Sequence, residues 1–328
     1  MNSKLKNILQ YIGMFALAAG LLWLSLKSIP DVEGESKAEF LWETWARSNK
    51  WYLIAMGIVA MLSHVLRAYR WKMLLVPTGN KVSLGNSFLS LMIGYLVNLA
   101  VPRGGEISRC YNLLKLEKTP VEISFGTVVA ERVVDVLCLV ILIGISFIVE
   151  WDKLMTFINS LPFASGGGGI YKWLIIGVIA IGGVVVAVYF FRRNEKIKKI
   201  IIGFKEGLLA VFKLENSFSF IVISILIWLL YFVMSYFVII AFPETRALEF
   251  SAVLTLFTMG AIAMAAPLPG GAGSYHTIVP LGLVMLYNLP QGEAIAFVFI
   301  FHAWQTFIMI VGGVLSLIIS YWIVRWRK

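Results

Sequence analysis

Two cysteines, Cys110 and Cys138, and three histidines are all that this chain of 328 residues offers toward a disulfide or a soft metal. Neither cysteine stands in a CxxC pair or beside a His cluster, so the sequence excludes a disulfide framework and predicts no metal site. Charge is scarce too: 14% of residues are Asp, Glu, Lys or Arg, well under the usual quarter. No G-x-x-x-x-G-K-[ST] phosphate loop occurs, which argues against nucleotide hydrolysis by the chain itself. The stretch "GAGSYH" (271–276) misses the third glycine of a dinucleotide fingerprint and follows an apolar run, not a strand. No cofactor is therefore expected. The formal charge of +10 is scattered along the chain and not gathered in one patch, which argues against nucleic acid as a partner.

What the chain has instead is apolar length. Hydrophobic residues make up 59% of it, in runs at about 8–26, 51–66, 84–101, 123–149, 173–191, 217–241, 251–266 and 291–323. A helix of about 20 apolar residues crosses a bilayer core of roughly 30 Å. The composition predicts an all-α integral membrane protein. The first run follows Lys4 and Lys6 and has the outline of a secretory signal, but its length marks it as a retained span.

Lysine and arginine then orient the spans. Arg67, Arg70, Lys72 and Lys81 follow the second run with no acid among them, whereas the preceding loop sets Lys27, Lys37, Arg47 and Lys50 against Asp31, Glu33, Glu35, Glu39 and Glu43. That loop reads as external and the N-terminus as cytoplasmic. Arg192, Arg193, Lys196, Lys198, Lys199, Lys205 and Lys213 place 192–215 in the cytoplasm, and Arg325, Arg327 and Lys328 do the same for the C-terminus. Most of the excess positive charge faces the cytoplasmic leaflet of an inner membrane.

Parity makes the pattern informative. The segment "EISRCYNLLKLEK" (106–118) carries too many charges to cross at about 2.5–3.5 kcal/mol each. The consistent solution is that 84–118 enters from the cytoplasm, turns at "PRGG" and returns, and that 250–292, turning at "PLPGGAG", does so from outside. The expected topology is six full spans and two re-entrant helical hairpins.

The two turns resemble each other. At an offset of 166, Gly94, Ala100, Gly104, Gly105 and Ser108 fall on Gly260, Ala266, Gly270, Gly271 and Ser274. After a slip of four residues, Pro120 aligns with Pro290 and Arg132 with His302. Opposite insertion would make the units, about 51–150 and 217–323, inverted repeats, an arrangement transporters use to build a midplane site. Proline ends each incoming helix, and the glycines permit the turn. A helix restarting inside the membrane leaves N–H groups and a positive dipole end for an anion. A polar chamber between "VPRGGEIS" and "PLPGGAGS" is the functional reading; a tight helix connection is the structural one.

The ordered set "RAYRWKMLL" (67–75), "GYLVNLAVPRGGEISR" (94–109), "GTVVAERVVDVL" (126–137) and "PLPGGAGSYH" (267–276) resembles the lysylphosphatidylglycerol synthetase transmembrane family, also called flippase-like. The resemblance covers nearly the whole chain. It implies a membrane region associated with moving a lipid between leaflets, here without the soluble aminoacyl-transferase domain that the best-known members carry. It leaves the lipid's identity open: an anionic or modified phospholipid or a prenyl-phosphate-linked lipid.

Candidate substrate contacts are Arg103, Gly104, Gly105, Glu106, Arg109, Glu131, Arg132, Asp135, Gly270, Gly271, Ser274, His276 and His302. Arg103 and Arg109 would attract phosphate and the two glycine pairs would supply N–H donors; alternatively Arg103 and Glu106 form a local ion pair. Glu131, Arg132 and Asp135 share one helical face, as a structural ion pair or as a cavity wall or proton relay. The histidines are packing residues or proton carriers. Arg67 and Arg70 read first as membrane-surface anchors. Trp51, Trp151, Trp173, Trp322 and Trp326 form an aromatic belt, and 196–213 an amphipathic helix at the interface. The expected partners are membrane lipids and a separate lipid-modifying enzyme. The alternative reading is a membrane-embedded enzyme or accessory subunit acting on a lipid-linked substrate, with Glu106 or Asp135 as acid/base; a third is an assembly scaffold without transport.

Overall fold

A computed structural model describes residues 20, 23, 26–27, 36–160, 202–207, 209–265 and 268–326. Ten α-helices run through them: α1 (Lys37–Arg47), α2 (Lys50–Leu75), α3 (Leu84–Ala100), α4 (Gly104–Glu117), α5 (Val121–Val149), α6 (Trp151–Ser160), α7 (Ser217–Ala241), α8 (Phe250–Ala265), α9 (Ser274–Tyr287) and α10 (Gln291–Trp326). No strand occurs among the described residues. Four of the helices, α2, α5, α7 and α10, are long and apolar enough to cross a membrane, and α3 and α8 are shorter apolar helices. The expected first span, the run 173–191 and most of the amphipathic stretch 192–215 lie outside the described residues. Within that stretch, Gly203 and Gly207 pack against Glu122, Ile123 and Thr127 at the start of α5.

Local chemistry sets the helix ends. Ser83 and Asn216 accept from backbone N–H groups in the first turns of α3 and α7. Ser36 and Glu39 form a reciprocal capping box on α1, and the bonds from Ser36 hold the exposed Glu39 carboxyl below its ordinary pKa. The two hairpins are punctuated alike. Arg103 (φ 59°) and Gly270 (φ 56°) take the left-handed conformation at the turns. Lys118 (φ 61°) and Asn288 (φ 53°) take it where α4 and α9 end, each two residues before the proline that precedes the next long helix.

The element order long helix, helical hairpin, long helix thus occurs twice, as α2, α3–α4, α5 and as α7, α8–α9, α10. The leading helices run antiparallel: Asn49 at the start of α2 donates to the Ala241 carbonyl at the end of α7, while Arg70 near the end of α2 reaches Ser224 near the start of α7. Each closing helix packs against the first arm of the other unit's hairpin. Ser146 of α5 bonds Thr258 of α8, and Gly313 of α10 lies against Met92 and Leu96 of α3. The hairpin turns themselves meet, with Leu99 in contact with Gly270.

The largest buried apolar cluster joins α2, α7, the second hairpin and α10 through residues such as Met56, Val238, Phe242, Val279 and Phe301. Val136, Leu137, Val140, Ile141, Ile145 and Ile148 on α5 are exposed, as suits a helix facing lipid, where packing and not water exclusion drives association.

Candidate functional site

Three helices converge on one acidic residue. α2 continues to Leu75, nine residues past the apolar run 51–66, so Arg67 and Arg70 lie inside the bundle and not at its surface. Their spacing puts them one turn apart on the face toward α5. On α5, Glu131 and Asp135 are likewise one turn apart. Arg67 Nη2 reaches Glu131 Oε1 at 2.7 Å and Asp135 Oδ2 at 3.1 Å; Arg70 Nη2 reaches the same two carboxylates at 3.2 and 2.6 Å. From α4, Arg109 Nη2 takes the other oxygen of Glu131 at 2.9 Å. Glu131 and Arg70 are 0% exposed and Arg109 is 2% exposed, so the centre of this charge network is inside the protein, with Asp135 at its edge. Nη1 of each α2 arginine donates to α7, Arg67 to Tyr231 Oη and Arg70 to Ser224 Oγ, while both Nε atoms are buried without a hydrogen-bond partner; Arg109 stacks over Trp71. The expectation of membrane-surface anchors at Arg67 and Arg70 is therefore corrected. The signal for it was present in the sequence as matched one-turn spacings of two arginines and two acids on separate runs.

Arg132 stands one residue from Glu131 and points to the other side of the network. It reaches Glu106 at 3.5 Å and Asp135 at 3.7 Å, with its side chain 40% exposed. Glu106 thus pairs across to α5. Arg103 is exposed at the turn.

The first hairpin closes tightly. Gly94 and Gly105 approach so nearly that a Cβ on either would collide with the other's carbonyl oxygen. Asn98 Oδ1 accepts the Gly105 N–H at 2.7 Å, and the Gly104 N–H is bound to the Val101 carbonyl at 2.9 Å. In the second hairpin the Gly271 N–H bonds the Leu268 carbonyl at 3.1 Å. The N–H groups of Gly104, Gly105 and Gly271 are thus already engaged in closing the turns, because buried backbone groups must find partners.

A narrow cleft of about 10 Å³ opens beside the network, lined by Leu91, Gly94, Tyr95, Asn98, Gly105, Glu106, Arg109 and Arg132. Arg109 Nε and Nη1, Arg132 Nε, Glu106 Oε2 and Tyr95 Oη are buried and make no hydrogen bond within the protein. Tyr95 and Asn98 were not among the sequence candidates; only the crossing of α3 over α4 and α5 reveals them.

The second hairpin has different chemistry. Ser274 Oγ donates to the Ala263 carbonyl, and His302 Nε2 meets the Gly270 carbonyl at 3.0 Å. Tyr275 stacks on His302, and buried His276 packs edge-on against His302 at 4.7 Å between centroids. A separate, largely apolar cavity of about 20 Å³ lies between Tyr275, Phe297, Phe301 and α7. Gly270, Gly271, Ser274, His276 and His302 line no part of the first cleft. The thirteen candidates therefore fall into a charged set and an aromatic–histidine set that meet where Leu99 contacts Gly270. No group of three or more His, Cys, Asp or Glu able to hold a metal ion occurs among the described residues.

A helical membrane protein with paired broken-helix hairpins and a buried arginine–carboxylate network is the class these features define. The family model for the lysylphosphatidylglycerol synthase TM region matches residues 11–313, and the chain belongs to that family. A UPF0104 membrane protein of Methanothermobacter thermautotrophicus is 25% identical over 303 residues, 83% of each chain. A second, from Methanocaldococcus jannaschii, is 37% identical over 91 residues, 27% of each chain. The glycosyltransferase AglD of Haloferax volcanii is 24% identical over 302 residues, which are 80% of this chain and 48% of AglD. The chain thus matches about half of AglD and about a quarter of the Methanocaldococcus protein. No solved structure matches.

Proposed function

We propose that the protein carries an anionic lipid headgroup across the bilayer through the first-hairpin cleft while the tails stay in lipid. The observation that carries this reading is Arg109, buried at 2% exposure with two guanidinium nitrogens, Nε and Nη1, unpartnered beside the cleft. Buried ionised groups without full hydrogen bonding are costly, and inside a membrane they mark substrate paths. The cleft has room for about one water, so a phosphate enters only when the hairpin arms part; the structure fits the closed form of the site. Antiparallel leading helices and the exchanged packing of closing helices on hairpins support an inverted repeat. The lysine and arginine distribution is what supports the rest of the reading: six full spans, two re-entrant hairpins and cytoplasmic termini in an inner membrane. The aromatic–histidine half then serves as the opposite gate, meeting the first turn at Leu99 and Gly270.

A second reading is favoured by the similarity to AglD, whose name is that of a glycosyltransferase. Here the chain presents a lipid-linked substrate to a separate enzyme or acts on it, with Glu106 or Asp135 as acid/base. Liposomes holding the purified protein and a fluorescent anionic lipid separate the two: leaflet exchange without product supports transport, a chemically altered lipid supports the enzyme. Arg109→Gln and the more exposed Arg132→Gln should each slow exchange roughly ten-fold, the loss expected for a charge-assisted hydrogen bond. Unchanged exchange in a folded Arg132→Gln and Arg109→Gln pair rules out the assigned headgroup contact.

A further inference from the structure

The second hairpin repeats the first with its permanent charges replaced. On the offsets that bring the two turns into register, Arg109 falls on Tyr275, Glu131 on Phe301, Arg132 on His302 and Asp135 on Gln305. The placement is kept in three dimensions. Arg132 of α5 meets the first hairpin at Glu106, and His302 of α10 meets the second at the turn, where its Nε2 lies 3.0 Å from the Gly270 carbonyl oxygen. Where the first unit holds guanidiniums and carboxylates, the second gains charge only when an imidazole takes a proton.

That carbonyl settles the tautomer. A carbonyl oxygen only accepts, so Nε2 carries the hydrogen and, in the neutral ring, Nδ1 carries a lone pair. No hydrogen bond engages Nδ1 among the described residues, and His302 is only partly buried. A lone pair there turns an anionic oxygen away. Protonation makes Nδ1 a donor while the bond to Gly270 stays, so one proton changes the second turn from anion-repelling to anion-binding.

The neighbours fix how many protons the site takes. Buried His276 lies edge-on to His302 at 4.7 Å between ring centroids, and two imidazolium charges so close repel, so the pair takes one. The pair is also faced by Tyr275 of α9, stacked on His302, and by Phe299 of α10, against His276. Met264 of α8 and Leu99 of α3 lie against the turn at Gly271 and Gly270. Of these four only Tyr275 is titratable, and none is a carboxylate. Resting on the headgroup reading above, we infer that the His276–His302 pair is a proton site that couples passage of the headgroup to one proton: the second hairpin receives the anion only when the pair is protonated.

The test follows a fluorescent phosphatidylglycerol between the leaflets of liposomes holding the full chain, from about pH 8 to about pH 5.5, where imidazoles change charge. Exchange should quicken about ten-fold as the pH falls, a size usual for coupled sites, and His302→Gln, which cannot take the proton, should abolish that dependence. The chain has only three histidines, so isotope-labelled imidazoles can be followed singly by NMR in detergent. His276 or His302 should titrate in the same range, and dioctanoyl phosphatidylglycerol should move that titration to higher pH, because proton and anion favour each other's binding reciprocally. Exchange that ignores pH, or a titration that added lipid leaves unmoved, overturns the coupling and leaves the headgroup reading standing. No exchange at any pH overturns both. If His302→Gln keeps the natural chain's pH dependence, the proton sits elsewhere and the assignment is wrong; should that variant not fold, the lipid-shifted titration of the natural chain decides.

Discussion

Glu131 is the residue on which the charged half depends. One carboxylate, wholly buried, accepts from Arg67, Arg70 and Arg109, which come from two other helices. Removing one partner of a buried ionic cluster is far more damaging than never having built it, because the orphaned charges stay behind. Glu131→Ala should therefore cost about 3–5 kcal/mol, the range for breaking a buried pair. Asp135→Asn should cost less, since Asp135 is 15% exposed and Glu131 still serves both α2 arginines. A thiol-reactive dye reading the exposure of buried Cys110 during heating would rank the two variants; equal melting temperatures would show that the network does not hold the helices together.

At the scale of elements, the first hairpin is defined by the contact of two glycines. Gly105→Ala forces a Cβ against the Gly94 carbonyl oxygen and Asn98, both within the hairpin and one of them backbone, so the arms must separate. Overpacking of that kind costs about 1–3 kcal/mol. Gly144 on α5 provides the contrast: its Cβ would meet nothing within 4 Å, and alanine is the better helix former by about 1 kcal/mol. Gly105→Ala should lower the melting temperature and also lipid exchange, while Gly144→Ala should leave exchange unchanged and stability equal or higher. A Gly105→Ala protein of natural stability would mean that the arms sit further apart in the membrane.

For the whole molecule, the decisive matter is whether the two hairpins open to opposite sides. Lys115 and Asn288 are both exposed near the ends of the returning arms α4 and α9. Single cysteines at these positions in a Cys-free background should be labelled by an impermeant reagent from the cytoplasm at 115 and from outside at 288. Labelling of both from one side removes the inverted repeat and, with it, the two-gate account. The charged turn and the aromatic–histidine turn would then belong to one face, and their contact through Leu99 and Gly270 could not alternate access.

Much of the architecture follows from the sequence, because hydropathy, proline and glycine act locally. Long uncharged runs exclude a water-soluble fold, and the Pro–Gly–Gly breaks end helices wherever they fall, so the doubled pattern of helix, hairpin, helix is readable along the chain. The shared face of Glu131 and Asp135 follows from helical spacing alone. The partners of that face do not. Arg67 and Arg70 meet the two carboxylates across 61 to 68 residues of chain, and only the packing of α2 beside α5 brings them there. The same holds for Asn98, whose amide oxygen engages the N–H that the turn would otherwise present, and for Tyr95 and the cleft it lines. Tertiary structure also divided the candidates into a charged half and an aromatic half, since burial of charge is settled by which helices touch and not by which residues are adjacent.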